Sequence, residues 1–199
     1  MQSYKYPRFV DKKNIEMIQE ERSERIFKMS IPLSFEGDKS VLVVTRAPSI
    51  DIAYKILKYV ELKRHEEFIG VNRVDIVFIF PVIEYDEYYL AEKLEERGEK
   101  FLFGDDGFYD NMGNRIKNDE LIFYSMMEAS YIVFAWGDIP KSIIEVGNER
   151  VRYILKGYKM IKNNCLDIKE TYRIGSNRNN IPKHCMMWRR CDGVFRFDV

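Results

Sequence analysis

The residues best equipped for chemistry fall in three short stretches. Arg46-Ala47-Pro48-Ser49, with Asp51 two residues on, follows one apolar run. Trp136-Gly137-Asp138 follows another, and Asn-Asn-Ile-Pro-Lys-His, ending at His184, lies near the C-terminus. Together they offer a guanidinium, a hydroxyl, two carboxylates, an indole ring and an imidazole. A carboxylate can position water, and a histidine can stabilise negative charge as it grows. A planar heterocycle joined to a sugar or phosphate is the ligand such parts suit.

Each candidate also has a plainer reading. Arg46 binds a phosphate or pairs with Asp51 or Asp138. Asp51 activates water or favours a helix start through the helix dipole. Trp136 shapes a pocket or fills the core. His184 is a site residue or a surface histidine, whereas His65, in Lys-Arg-His-Glu-Glu, reads as solvated.

These stretches need strand ends to hold them. Val-Leu-Val-Val-Thr, residues 41–45, is a buried strand emptying into a helix over residues 50–67. Val-Asp-Ile-Val-Phe-Ile-Phe, residues 74–80, is a second strand; it ends at Pro81, with Glu84 and Tyr85 beyond. Tyr-Ile-Val-Phe-Ala-Trp, residues 131–136, is a third. Helices are expected over residues 14–27, 86–97 (stopping at Gly98), 118–129 and 141–155. An edge strand is expected around Pro32 in residues 29–35, and short strands at 158–161 and 172–175. Residues 100–115 read as a Gly- and Asp-rich loop or small hairpin. The fold class is therefore α/β, a three-layer α/β/α sandwich with a central, largely parallel sheet. One domain is expected over residues 1–199, with an N-terminal helix and edge segment in 1–39 and the core in 40–199. Ligands of open α/β sheets bind at the C-terminal ends of strands, and helix N-termini favour anions. Residues 45–51 are accordingly the expected floor of the site.

Composition narrows the function. The 199 residues are 46% hydrophobic, ample for one core, and carry 32 basic and 32 acidic side chains. Zero net charge argues against a dedicated duplex-DNA binder, though not against a local basic patch. Residues 173–190 contain Arg173, Arg178, Lys183, Arg189 and Arg190 and no acid, the best nucleic-acid-facing patch. Three cysteines without tight spacing point to reduced thiols in a cytoplasmic protein. Asp105, Asp106 and Asp110 lack calcium-loop spacing, so no metal and no organic cofactor is expected. The N-terminus carries no signal-peptide core, and no apolar run reaches the roughly 18 residues of a membrane span.

The ordered set Val-Leu-Val-Val-Thr-Arg-Ala-Pro-Ser, Val-Asp-Ile-Val-Phe-Ile-Phe-Pro, Lys-Asn-Asp, Tyr-Ile-Val-Phe-Ala-Trp-Gly and Ile-Pro-Lys-His resembles a bacterial and phage family of unknown function. That family in turn resembles the uracil-DNA glycosylase superfamily. The resemblance covers residues 40–188. It implies a glycosylase-like fold that binds a nucleobase, nucleotide or DNA and cleaves an N-glycosidic bond in a base flipped from the duplex. The implied catalytic pair is Asp51 and His184. The resemblance matches Pro48, Ser49, Trp136 and Gly137 as ligand residues; Arg46, Ala47, Pro81 and Asp138 join them as candidates from their places at the strand ends. Asn118-Asp119 match an Asn-Asp pair of the family and also simply start a helix. The chain departs from the pattern at Arg46-Ala47, where an Asn is usual, at Phe80-Pro81, where a base-reading Asn would sit, and at Cys185. Those departures leave a second expectation: a non-catalytic phage- or defence-type module that sequesters a nucleotide or binds a protein partner or a second copy of itself.

Overall fold

The computed structural model describes residues 6–20, 24–49, 51–86, 88–110, 112–164, 170–177 and 180–198. In chain order its elements are β1 (Glu16–Gln19), β2 (Ile26–Pro32), β3 (Lys39–Thr45), α1 (Ile52–Lys63), β4 (Val71–Phe78), α2 (Tyr89–Phe103), β5 (Phe108–Tyr109), β6 (Arg115–Ile116), α3 (Asn118–Glu128), β7 (Tyr131–Ala135), α4 (Ile144–Asn164), β8 (Glu170–Ile174) and β9 (Val194–Arg196).

The continuous apolar runs become the centre of one seven-stranded sheet, in the order β1-β2-β4-β3-β7-β8-β9. β4, β3, β7 and β8 are mutually parallel, and Val43 sits between Ile76 and Val133. Strands covered on both faces have no polar face to show, which is why β3 and β7 read as unbroken hydrophobic stretches. The outer strands are antiparallel: β2 on β4, β1 on β2, and β9 on β8.

Helices cover both faces. The apolar stripe of α1 (Ile52, Ile56, Leu57, Val60) packs on Val41, Val43, Val74, Ile76 and Val133. On the other face Leu90 and Leu102 of α2, Ile122 and Met126 of α3, and Ile154 and Tyr158 of α4 pack on Leu42, Val44, Val77, Ile132 and Phe134. Each such side chain contributes about 1.5–3 kcal/mol by leaving water. The mixed α/β class and the largely parallel centre match the sequence expectation.

Several local expectations are corrected. The helix expected over 14–27 is not found among its described residues, 14–20 and 24–27: a short 3-10 turn, Lys12–Asn14, is followed by β1 and then β2. Ile15, Ile18 and Ile26 have helical spacing, but Ile26, Met29 and Ile31 are drawn into the core as a strand against β4. Pairing outweighs periodicity here. β2 is accordingly not an edge strand; Pro32 is merely its last residue. Residues 158–161 lie inside α4, so the fourth parallel strand is β8. The helix from Tyr89 does break at Gly98, as expected, and α2 is two helical segments joined there. That residue takes non-helical angles (φ 76, ψ 175), and what the sequence did not show is the second helical segment that runs on to Phe103. Of residues 100–115, the first four finish α2, and the small hairpin expected there is β5–β6.

Candidate functional site

The site grows from the C-terminal end of β3. Beyond Thr45 the chain stays stitched to the second parallel strand, with Ile79 N–H donating to Thr45 O at 2.9 Å and Phe80 N–H to Arg46 O at 2.9 Å. Thr45 Oγ1 donates sideways to Ala135 O at 3.1 Å and lies 3.2 Å from Cys185 Sγ. One buried threonine thus ties the ends of β3 and β7 to the segment that follows His184.

The late loop lies directly on the Trp136-Gly137 turn. Gly137 N–H donates to Pro182 O at 3.1 Å. Gly137 has φ 70, and a Cβ there would fall 2.5 Å from the Cβ of His184. Only glycine fits both the left-handed backbone and the close approach.

Arg46 spans the cluster. Its Nε donates to Glu84 Oε2 at 3.1 Å, and its Nη2 to Oε1 at 2.8 Å and Oε2 at 2.9 Å. Its Nη1 donates to Asp138 O at 2.9 Å. Glu84 is held in turn by its own N–H, which donates to Pro48 O at 2.9 Å. Both side chains are sheltered, Arg46 at 17% and Glu84 at 13% exposure, so this fork-to-carboxylate pair is screened less than a surface ion pair.

His184 is partly buried, and its Nε2 is sealed from solvent with no hydrogen-bond partner among the described residues. Burial, and secondarily the Arg46 charge, push its pKa down to about 3. The imidazole is therefore neutral at physiological pH and offers a donor or an acceptor rather than a charge. Ser49 Oγ is likewise buried and unpartnered. Next to His184, the Cys185 thiol is pushed up to about 12 by burial, despite its contact with Thr45, so it rests as a neutral thiol.

The other expected residues are placed as follows. Ala47, Pro48 and Gly137 are buried; Asp138 is exposed and accepts from Asn177 Nδ2 at 2.6 Å. Trp136 is 3% exposed and packs between Phe134 and Phe197, so its ring belongs to the core. Pro81 is buried with its ring beside Gly104, next to Asn118 and Phe27, on the α2–α3 side rather than at Arg46. Asp51 occupies the N-cap position of α1 with no side-chain capping bond, and is exposed. Arg46, Ala47, Pro48, Ser49, Gly137, Asp138 and His184 come together; Asp51 and Pro81 stand at the margins.

In the basic segment, Lys183 pairs with Asp192 at 2.8 Å, an acid just outside the residues that looked unopposed. Arg189 and Arg190 are exposed, and Arg173 is bonded to Asn180. Arg178 lies outside the described residues. Asn118 is fully buried, its Nδ2 donating to Phe78 O at 2.8 Å and Phe103 O at 2.9 Å. Asp119 pairs with buried Arg150 at 2.6 Å. Asn118 therefore bridges strand and helix, and Asp119 anchors Arg150.

Sequence reasoning underrated Glu84. Its signal was its position shortly after the second strand, which a parallel sheet places beside Arg46. No group of three or more His, Cys, Asp or Glu side chains among the described residues could hold a metal ion. No helix among them is long and apolar enough to cross a membrane. Comparison with protein-family models, with curated proteins and with solved structures finds no match to this chain.

Proposed function

We propose that the strand-end cluster binds a nucleobase or nucleotide, on a fold of the uracil-DNA glycosylase type. One observation carries the reading. Two buried polar atoms without partners, His184 Nε2 and Ser49 Oγ, belong to the cluster that Arg46 spans. Buried polar atoms are normally paired, and a base edge rich in donors and acceptors would satisfy both. The meeting of the Pro-Ser loop, the Trp-Gly strand end and the late histidine at one sheet edge is the arrangement the family resemblance implies.

A second reading, hydrolysis of an N-glycosidic bond, is favoured by the neutral state of His184. A neutral imidazole can donate a hydrogen bond to the oxyanion that forms on a departing base, without first losing a proton. Asp51, at the start of α1, would position the attacking water. Exposed Arg189 and Arg190 supply the phosphate contacts for a DNA substrate.

Thermal unfolding with free bases, nucleosides and 5′-monophosphates tests binding. A rise in melting temperature that His184→Ala abolishes supports it, and no rise with any of them refutes it. Base release from oligonucleotides containing uracil or modified pyrimidines separates the readings. Release above the His184→Ala background supports hydrolysis; release equal to that background leaves binding alone.

A further inference from the structure

We infer that Glu84 sets the ligand class of this site: by occupying Arg46 it selects neutral bases and nucleosides and excludes their phosphorylated forms. The inference rests on the nucleobase reading and narrows it.

An arginine at a strand end beside a helix start is ordinarily an anion receptor. Here the receptor is filled by the chain itself. Glu84 takes Nε and Nη2 in the two-point geometry that a phosphate would use, at 2.8 to 3.1 Å. Asp138 O takes Nη1. The Nε–Nη2 edge of the guanidinium is thus taken by Glu84, and Nη1 is shared with Asp138 O. A phosphate arriving at Arg46 must displace a sheltered carboxylate or sit against it as a like charge. The backbone of Glu84 is fastened to Pro48 O at 2.9 Å, which keeps the root of its side chain beside Arg46.

Arg46 and Glu84 then form a locally neutral floor. The unpartnered groups left for recognition are uncharged, the imidazole of His184 and the hydroxyl of Ser49, and the nearby Asp138 carboxylate adds only negative charge. Those groups suit the amide-like edge of a base and give no purchase on a phosphate dianion. Removing the Glu84 charge should uncover the anion receptor without moving Arg46, since Gln keeps a hydrogen-bond acceptor and nearly the same shape.

The experiment is calorimetric titration of the wild type, Glu84→Gln and the double variant Arg46→Gln/Glu84→Gln. Each is titrated with uracil, adenine, their nucleosides, the matching 5′-monophosphates, and inorganic pyrophosphate. Near-ultraviolet circular dichroism verifies that each variant keeps its native packing. For the wild type we expect at least tenfold tighter binding of a base or nucleoside than of its monophosphate, and no pyrophosphate binding. Glu84→Gln should gain at least tenfold for monophosphate and pyrophosphate, with salt-dependent affinity, and the double variant should lose that gain. Equal wild-type affinity for nucleoside and monophosphate overturns the inference. So does a Glu84→Gln variant that gains nothing for pyrophosphate. If no base or nucleoside binds while Glu84→Gln acquires pyrophosphate affinity through Arg46, the nucleobase reading fails and the masking of Arg46 by Glu84 stands.

Discussion

Gly137 and His184 approach so closely that a Cβ atom on the glycine would lie 2.5 Å from the Cβ of the histidine. The turn after β7 and the late loop are therefore one packed unit. Gly137→Ala must both hold an alanine at positive φ and push His184 away. We expect a loss of about 2–4 kcal/mol in urea unfolding, from left-handed strain plus overpacking. A loss below about 0.5 kcal/mol would show that the loop is not seated on the turn.

The neutral state of His184 makes a pH prediction. Its folded pKa, about 3, lies below its ordinary value of 6.5. Between those values the unfolded chain binds a proton that the folded chain refuses. Stability falls as pH drops from 6.5 towards 3 and is unaffected by this group above 6.5. The slope from one such proton approaches about 1.4 kcal/mol per pH unit. His184→Gln should flatten the wild-type profile in that window; identical profiles would mean that the imidazole is not shielded.

Asp51 separates binding from hydrolysis. Its carboxylate is exposed and makes no capping bond, so Asp51→Asn should change stability by less than about 0.5 kcal/mol. If it positions water, any base release falls by about a hundredfold or more, with ligand affinity unchanged. Release at the wild-type rate in that variant would remove Asp51 from the mechanism.

Arg150 is buried behind the sheet edge, donating to Ile79 O at 3.1 Å and Phe103 O at 3.3 Å and pairing with Asp119 at 2.6 Å. Arg150→Met strands Asp119, and also Asp105, whose carboxyl burial already pushes its pKa up. The expected cost is about 3–5 kcal/mol, measured by denaturant unfolding. Adding Asp119→Asn should recover part of it; strictly additive losses would argue that the pair is uncoupled.

The basic segment yields a salt test. Arg189 and Arg190 are exposed, whereas Lys183 is engaged by Asp192. If the segment contacts nucleic acid, removing both arginines should lower oligonucleotide affinity and reduce the log–log salt slope by about 2. Lys183→Ala should alter that slope far less. An unchanged slope in the double-arginine variant would locate nucleic-acid binding elsewhere or nowhere.

The parallel centre was readable because β3, β4 and β7 are buried on both faces and so appear as apolar runs ending at Thr45, Pro81 and Trp136. α3 was readable from its spacing, with Ile122 and Met126 inward. The N-terminal hairpin was not, because Ile15, Ile18 and Ile26 imitate a helical stripe. Residues 158–161 were not either: they look like a strand, but Tyr158 is the buried tooth of a long helix. At the site, the residue types were visible and their engagements were not. Arg46 meets Glu84 only because β3 and β4 are neighbours, and it takes the backbone carbonyl of Asp138 rather than its carboxylate. Trp136 offered a ring to any reader, yet Phe134 and Phe197 claim it.

The pairing of β2 has a consequence for how the chain is made. Its sheet partners are β1 and β4, and β4 is translated only after all of β3 and α1. A growing chain therefore presents the β1–β2 hairpin, with Met29 and Ile31, before the strand that will bury those side chains exists. An isolated two-stranded ribbon is marginal in water. The hairpin must therefore wait through the synthesis of β3 and α1, and its apolar face is the surface a chaperone would meet in that interval.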